Sequence, residues 1–350
     1  MILPDWHKRY HPLLRQWVVY AAHRNRRPWS FDAAPPPPAT PPYDPACYLC
    51  PGNARVGGAR NPDYPDLLVF DNDHPVVGPD APDVNGAAVA HPLHRIAPAR
   101  GRARVLCYHP RHDLTMASVP RACVRAVWRE LCAQTREALA DDAVHSLLVF
   151  ENKGELVGTS NPHPHCQLYG LDFPVGLVAR HRAAAAEHRA RTGRNLFADV
   201  LAAELAGDAP RVVAVNEHAA AFVPFFARFA YEVMLMPRRR HATLATLTDE
   251  ESDALADLYQ EVNRRYDLNY RQSFPYVMSV LQAPLDGGDY LDYHAHVLIQ
   301  PPLRQPGLQK FLAGPETGAD TFMADTIPEE KAAELRAVDL AAYDPANPPR

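Results

Sequence analysis

Apolar residues recur along this chain in two spacings, one helical and one alternating. Between residues 248 and 266, Leu255, Leu258, Tyr259, Val262 and Tyr266 fall on one helical face. Ahead of them Thr248-Asp-Glu-Glu251 has the form of a capping box, which predicts the helix start. Val124, Val127, Trp128 and Leu131 predict an equivalent helix in the first half. Around these helices stand short runs rich in Val, Leu and Tyr, bounded by Pro, Asn and Gly. They lie at 69–74, 104–112 and 147–152, then again at 213–218, 231–241 and 276–282, and read as strands.

The order of elements is the same in both halves, and so is the placing of histidines. His112 and His163 stand 51 residues apart; His241 and His294 stand 53 apart. The chain therefore reads as an α+β protein of two tandem units, residues 1–175 and 176–350, each an antiparallel sheet with packed helices. Residues 178–190, alternating Ala and Arg, predict a linking helix. The proline-rich stretch 28–45 predicts an extended connector, because proline fixes its own φ and bars helix in the residue before it.

Composition narrows the function. In 350 residues, 22% are charged, the net charge is −5, and no apolar run reaches the length of a membrane span. That balance speaks against a nucleic-acid coat or an anionic membrane as partner. The first residues lack the pattern of a secretory signal, so a cytoplasmic protein is expected. Among six cysteines only Cys47 and Cys50 form a tight pair. That spacing suits a metal knuckle, with ligands supplied from elsewhere, or a buried pair of structural thiols.

The run Gly158-Thr-Ser-Asn-Pro-His-Pro-His-Cys-Gln167 carries the strongest chemical signal. On a strand, alternation would send His163 and His165 to one face. A neutral imidazole can attack an electrophilic phosphorus and divide one difficult transfer into two easier ones. By itself a His-x-His pair is equally a structural or metal pair. Its neighbours favour a phosphate site: Gly158, Ser160 and Asn161 can approach and donate to phosphate, and Gln167 projects with His165.

Taken with further motifs, the chain resembles the galactose-1-phosphate uridylyltransferases, a two-unit branch of the histidine triad superfamily. The likeness runs nearly end to end. It is carried by Arg9-Tyr-His-Pro-Leu13, His23-Arg-Asn-Arg-Arg-Pro-Trp29, Cys47-Tyr-Leu-Cys-Pro-Gly-Asn53, Asn61-Pro-Asp-Tyr64, Phe150-Glu-Asn-Lys-Gly154, Ser160-Asn-Pro-His-Pro-His165, Ser273-Phe-Pro-Tyr276, His294-Ala-His296 and Lys310-Phe311.

The resemblance implies uridylyl transfer from UDP-glucose to galactose 1-phosphate, in galactose metabolism, with ping-pong kinetics. It makes His165 the nucleophile, with Gln167 and Ser160 assisting at the phosphoryl oxygens. Asn72, Asp73 and Asn152 match contacts to uridine and ribose. Arg24, Arg27 and the loop carrying Lys310, Phe311, Gly314 and Glu316 match contacts supplied by a neighbouring subunit, which implies a homodimer. Cys47, Cys50, His112 and His163 match the ligands of one structural zinc per chain.

Two departures stand out. Some relatives hold a second metal on a glutamate and three histidines. His294 and His296 match two of those histidines, but the third falls on Leu281 and the glutamate falls near His181 or Glu187, so that site is expected to be degraded. In the sugar-contacting segment Pro315 replaces an aromatic residue and Phe322 a glutamine. Loss of polar partners beside a hexose alters selectivity, which leaves the preferred hexose 1-phosphate open. Two other readings use the same residues: nucleotidyl transfer to another sugar phosphate or to phosphate, with an adenine nucleotide as donor, and a nucleotide-binding module without turnover.

Overall fold

The computed structural model describes residues 4–26, 40–84, 91, 93–305 and 307–349. Arg27, and most of the proline-rich connector, lie outside the described residues. In chain order the first half supplies β1 (Trp6–His11), β2 (Gln16–Ala21), β3 (Leu68–Asp71), β4 (Gly101–Cys107), α1 (Arg121–Leu139), β5 (Ser146–Lys153) and β6 (His165–Leu171). Two helices follow, α2 (Gly176–Thr192) and α3 (Leu196–Leu205). The second half supplies β7 (Val212–Val215), β8 (Ala219–Phe222), β9 (Val233–Pro237), α4 (Asp249–Tyr270), β10 (Tyr276–Leu281) and β11 (His296–Gln300). Short strands β12 (Leu303–Gln305), β13 (Leu308–Gln309) and β14 (Met323–Ala324) precede α5 (Pro328–Ala337).

The two predicted sheets are one. Among the described residues nine strands run in the order β3-β4-β6-β5-β10-β11-β9-β8-β7, and the halves join where β5 pairs antiparallel with β10. Each half repeats the same step: a strand, a helix on the sheet's back face, then an antiparallel strand pair whose second strand starts at the second histidine of His-x-His. Merging the halves removes two edges that would otherwise present unpaired backbone groups. Beside this sheet, β1 and β2 pair antiparallel, and β14 joins β2 in parallel.

Alternation assigns the faces. Val149 of β5, Cys166 and Leu168 of β6, Met278 and Val280 of β10, and Val297 and Ile299 of β11 pack behind the sheet with α1 and α4 in one core. Every residue predicted for the two helical faces is buried there, and Thr248 caps α4 reciprocally with Glu251 as expected. At the seam the buried carboxylate of Glu151 accepts hydrogen bonds from Tyr259 (2.7 Å) and Tyr276 (3.1 Å), tying β5, β10 and α4 together. Outside this core Asp257 and Asp253 of α4 take Arg121, Arg125 and Arg129 of α1. The front face carries His165, Gln167 and the pocket described below. No helix among the described residues is long and apolar enough to cross a membrane.

Trp128 of α1 is almost wholly buried and meets the Tyr259 ring edge-on at 5.4 Å. Trp128→Ala is expected to lower unfolding free energy by about 3–5 kcal/mol, read from the midpoint of a urea transition, because it opens a cavity where the two pseudo-equivalent helices meet.

Candidate active site and metal cluster

β6 begins at His165, and from there alternation places His165, Gln167 and Tyr169 on the front face. In the antiparallel ladder Cys107 lies across from His165 on one side, and Phe150 lies across from Gln167 on the other. In the same register Asn152, two positions beyond Phe150, stands beside His165. A pocket opens over this row, lined by Phe150, Asn152, Gly158, Thr159, Ser160, His165, Cys166 and Gln167. Five residues singled out in the sequence thus meet in one place: Asn152, Gly158, Ser160, His165 and Gln167.

The loop between β5 and β6 folds over the pocket because two glycines let it turn. Gly158 has φ +80°, a conformation that side-chain-bearing residues rarely adopt. Thr159 then donates its hydroxyl to the Asn152 carbonyl and pins the loop to β5. Phe150 and Thr159 were not among the residues picked from sequence. Phe150 could have been found by alternation from Asn152; Thr159 has no signal outside the loop's folded shape.

His165 is held in one tautomer. Its Nδ1 lies 2.8 Å from the backbone carbonyl of His163. A carbonyl can only accept, so Nδ1 carries the proton and Nε2 keeps the lone pair. Burial moves the imidazole pKa below its ordinary value, and the ring is neutral at pH 7. Tyr169 donates to the side-chain oxygen of Gln167 at 3.0 Å, which commits that oxygen and leaves the amide NH2 as a donor. Among the described residues no carboxylate and no lysine lines the pocket.

His163 does not follow the alternation expected of it. It sits in the bend before β6, where its own N–H donates to the Asn161 side chain at 3.0 Å, and its ring turns away from the pocket. It joins Cys47, Cys50 and His112, all buried, in a group whose ligand atoms lie within 4.8 Å of one another. Cys50 Sγ is 3.6 Å from Nδ1 of both His112 and His163. Tetrahedral zinc with ordinary Zn–S and Zn–N bonds would set sulfur and nitrogen about 3.6 Å apart. Cys47 Sγ accepts from Leu49 N–H and lies against the Asn161 amide, both at 3.3 Å. Burial keeps both imidazoles neutral, with His163 lowered to about 3, and pushes the Cys50 thiol up to about 11, a proton that only a cation would displace near neutral pH. The donors fit a metal ion.

The remaining predicted residues that are described do not line this pocket. Asn72 accepts from His74 N–H at 2.9 Å at the end of β3, and Asp73 faces Arg55 at 3.5 Å, whose guanidinium lies on Phe70. Phe70, opposite Val105 and so in one row with Gln167, extends the same front face. Arg24 lies 3.9 Å from Asp325. Lys310 is paired with Glu316 at 3.3 Å, while Phe311, Gly314 and Pro315 are exposed. Phe322 is buried with Val18, Tyr20 and Ile327 and stacks on Arg228, closed to any sugar from this position.

The second unit repeats the backbone device without the pocket. His296 Nδ1 donates to the His294 carbonyl at 2.9 Å, as His165 does to His163. Across from His296 stands Leu281, where the first unit has Asn152, and Leu298 takes the place of Gln167. His181 of α2 stacks on the ring at 5.4 Å and closes it off. His294 uses both nitrogens internally, donating from Nε2 to Pro237 O at 2.9 Å and accepting at Nδ1 from His241 N–H at 3.4 Å. Glu187 is on the surface, paired with Arg15 at 2.9 Å.

A sheet built twice around a His-x-His strand, with a polar pocket beside the first copy, defines a two-unit α+β protein with one candidate active site. Comparison with known proteins narrows this. Residues 4–174 match the family model "Galactose-1-phosphate uridyl transferase, N-terminal domain", and residues 180–346 match the C-terminal domain of the same enzyme. Galactose-1-phosphate uridylyltransferase of Haemophilus influenzae is 35% identical over 96% of this chain and 95% of its own length. The Rattus norvegicus enzyme is 36% identical over 96% of this chain and 89% of its own. A solved uridylyltransferase structure, 29% identical, covers 94% of this chain and 97% of its own with a TM-score of 0.76. The chain belongs to the galactose-1-phosphate uridylyltransferase family and is a nucleotidyltransferase.

Protein purified without chelator is expected to carry about one metal equivalent per chain, and Cys50→Ser to lose most of it, since a structural tetrahedral site needs all four donors. Elemental analysis of both proteins checks this; under half an equivalent in folded wild-type protein contradicts it.

Proposed function

We propose that the protein transfers a uridylyl group from UDP-glucose to galactose 1-phosphate through a covalent intermediate on His165. The observation that carries this reading is the fixed tautomer of His165, with its Nε2 lone pair in a pocket of neutral donors. In the first half-reaction Nε2 bonds to the α-phosphorus, and the bond from that phosphorus to the bridging oxygen breaks. Glucose 1-phosphate leaves with the electron pair. Its departing oxygen belongs to a phosphate and is stable as an anion, so no general acid is required, in keeping with a pocket that has no carboxylate among its described lining residues.

The uridylylated ring is cationic, and its Nδ1–H still donates to the His163 carbonyl. A phosphate oxygen of galactose 1-phosphate then bonds to phosphorus as the N–P bond breaks, giving UDP-galactose and restoring neutral His165. A depressed imidazole pKa serves both steps, since the nitrogen is unprotonated before attack and is a better leaving group afterwards. Gln167 NH2 and the Ser160 hydroxyl are placed to hold the non-bridging oxygens as charge builds there.

Asn152, Asn72 and Asp73 are assigned to the nucleoside, and Gly158 gives the phosphates close approach to the backbone. Cys47, Cys50, His112 and His163 are assigned to a structural zinc, which supplies rigidity beneath the pocket. The units divide at 175/176, and the enzyme acts in the cytoplasm as a homodimer. Arg24, Arg27, Lys310, Phe311, Gly314 and Glu316 then serve the partner's pocket, a reading supported by the fact that none of the described residues of this set lines the pocket of its own chain. Exposed Trp6, Tyr10 and Trp17 on one side of β1 and β2 offer apolar surface for the pairing. Galactose 1-phosphate is assigned as acceptor because the curated relatives carry that activity in their names.

Radiolabel should exchange between glucose 1-phosphate and UDP-glucose with no galactose 1-phosphate present, and label placed in the uridylyl group of UDP-glucose should be trapped on His165. Absence of exchange contradicts the mechanism. His165→Gly is expected to abolish turnover while retaining UDP-glucose binding, and Gln167→Ala to lower kcat by about 10²–10³. Because His165 must be neutral and burial lowers its pKa, the acid limb of the first half-reaction should be centred below pH 6.5, the ordinary imidazole value. An acid limb centred at or above 6.5 contradicts the assignment.

A further inference from the structure

Behind the cysteine–histidine quartet lies a hydroxyl that the mechanism above does not use. Tyr64, nearly fully buried among Leu49, Cys50, Val105 and Cys107, donates its O–H to the Leu49 carbonyl at 2.7 Å. The same oxygen is 2.9 Å from Nε2 of His163. A phenol has one hydrogen, and a carbonyl can only accept, so that hydrogen belongs to the Leu49 contact. Toward His163 the phenol oxygen must therefore accept, and Nε2 must carry the imidazole proton. The lone pair of neutral His163 is then on Nδ1, the nitrogen that faces Cys50 Sγ at 3.6 Å.

We propose that Tyr64 is a positioning residue that selects the metal-binding tautomer of His163 through the chain Nε2–H to phenol to Leu49 carbonyl. The inference rests on the zinc assignment made above. Leu49 lies within the Cys47–Cys50 turn, so the hydrogen-bond chain joins the bend that carries His163 to the turn that carries Cys47 and Cys50. It bears on the reaction as well, because the backbone carbonyl of the same His163 holds Nδ1 of His165 at 2.8 Å. Rotation of the His163 ring out of the quartet would move the bend that supplies that carbonyl. Loss of an outer hydrogen-bond partner of a metal-bound histidine lowers metal affinity about 10–100-fold.

The test is zinc affinity by chelator competition. Tyr64→Phe is expected to bind zinc about 10–100-fold more weakly than wild type. Equal affinities overturn the inference; a folded wild-type protein that binds no zinc overturns instead the assignment on which it rests. In a His163→Cys background, which replaces the imidazole by a fourth-ligand thiolate, Tyr64→Phe should no longer change affinity. An undiminished loss there means that Tyr64 acts through packing and overturns the link. One measurement needs no substitution at Tyr64: NMR of zinc-loaded wild-type protein labelled with ¹⁵N-histidine, with His163 assigned by its absence in His163→Cys. A proton on Nε2 of His163 supports the inference, and a proton on Nδ1 overturns it.

Discussion

The hydrogen bond from His165 Nδ1 to the backbone carbonyl of His163 is the contact on which the rest of the site depends. It fixes which nitrogen of His165 is protonated, and so which one can attack. A backbone carbonyl is a suitable partner for that purpose, because it cannot donate and cannot change protonation state. Its position is set in turn by the His163 side chain, whose ring is engaged with Cys50 and Tyr64 on the other side of the bend. One residue thus faces two ways, with its ring in the quartet and its carbonyl toward the pocket.

The same backbone device occurs at His296, which separates the geometry of the imidazole from its setting. There the ring nitrogen opposite the bond is buried beside His181, and Leu281 and Leu298 occupy the positions of Asn152 and Gln167. Without donors and without an opening, the second histidine is a core residue. Duplication therefore supplied a scaffold twice, but only the first copy carries the polar groups that a phosphate requires. The second copy contributes β10, which buries the edge of β5 and holds the floor of the pocket from the far side.

Chemistry and packing are divided between the two faces of one sheet. Behind it, α1 and α4 bury a continuous core that reaches across both units, so the floor of the site is as rigid as the protein interior. In front, the quartet draws together segments near residues 47, 112 and 163 and stiffens the one irregular stretch of chain that the pocket needs.

What the sequence determined by itself was everything carried by local pattern and by motif. The periods of 3.6 and 2 located α1, α4 and the strands around them. Thr248 and Glu251 announced the start of α4, and the repeated order of strands and histidines announced two units. Alternation from His165 correctly put Gln167 on its face, since both lie within β6. The same rule failed for His163, because the strand starts after it and a bend obeys no period. Only the tertiary structure could merge two sheets into one through β5 and β10, gather Cys47, Cys50, His112 and His163 from three distant segments, and turn Phe322 inward. Those outcomes depend on contacts between residues far apart in the chain, where the energy lies in burial and in converging hydrogen bonds, and neither leaves a mark in local spacing.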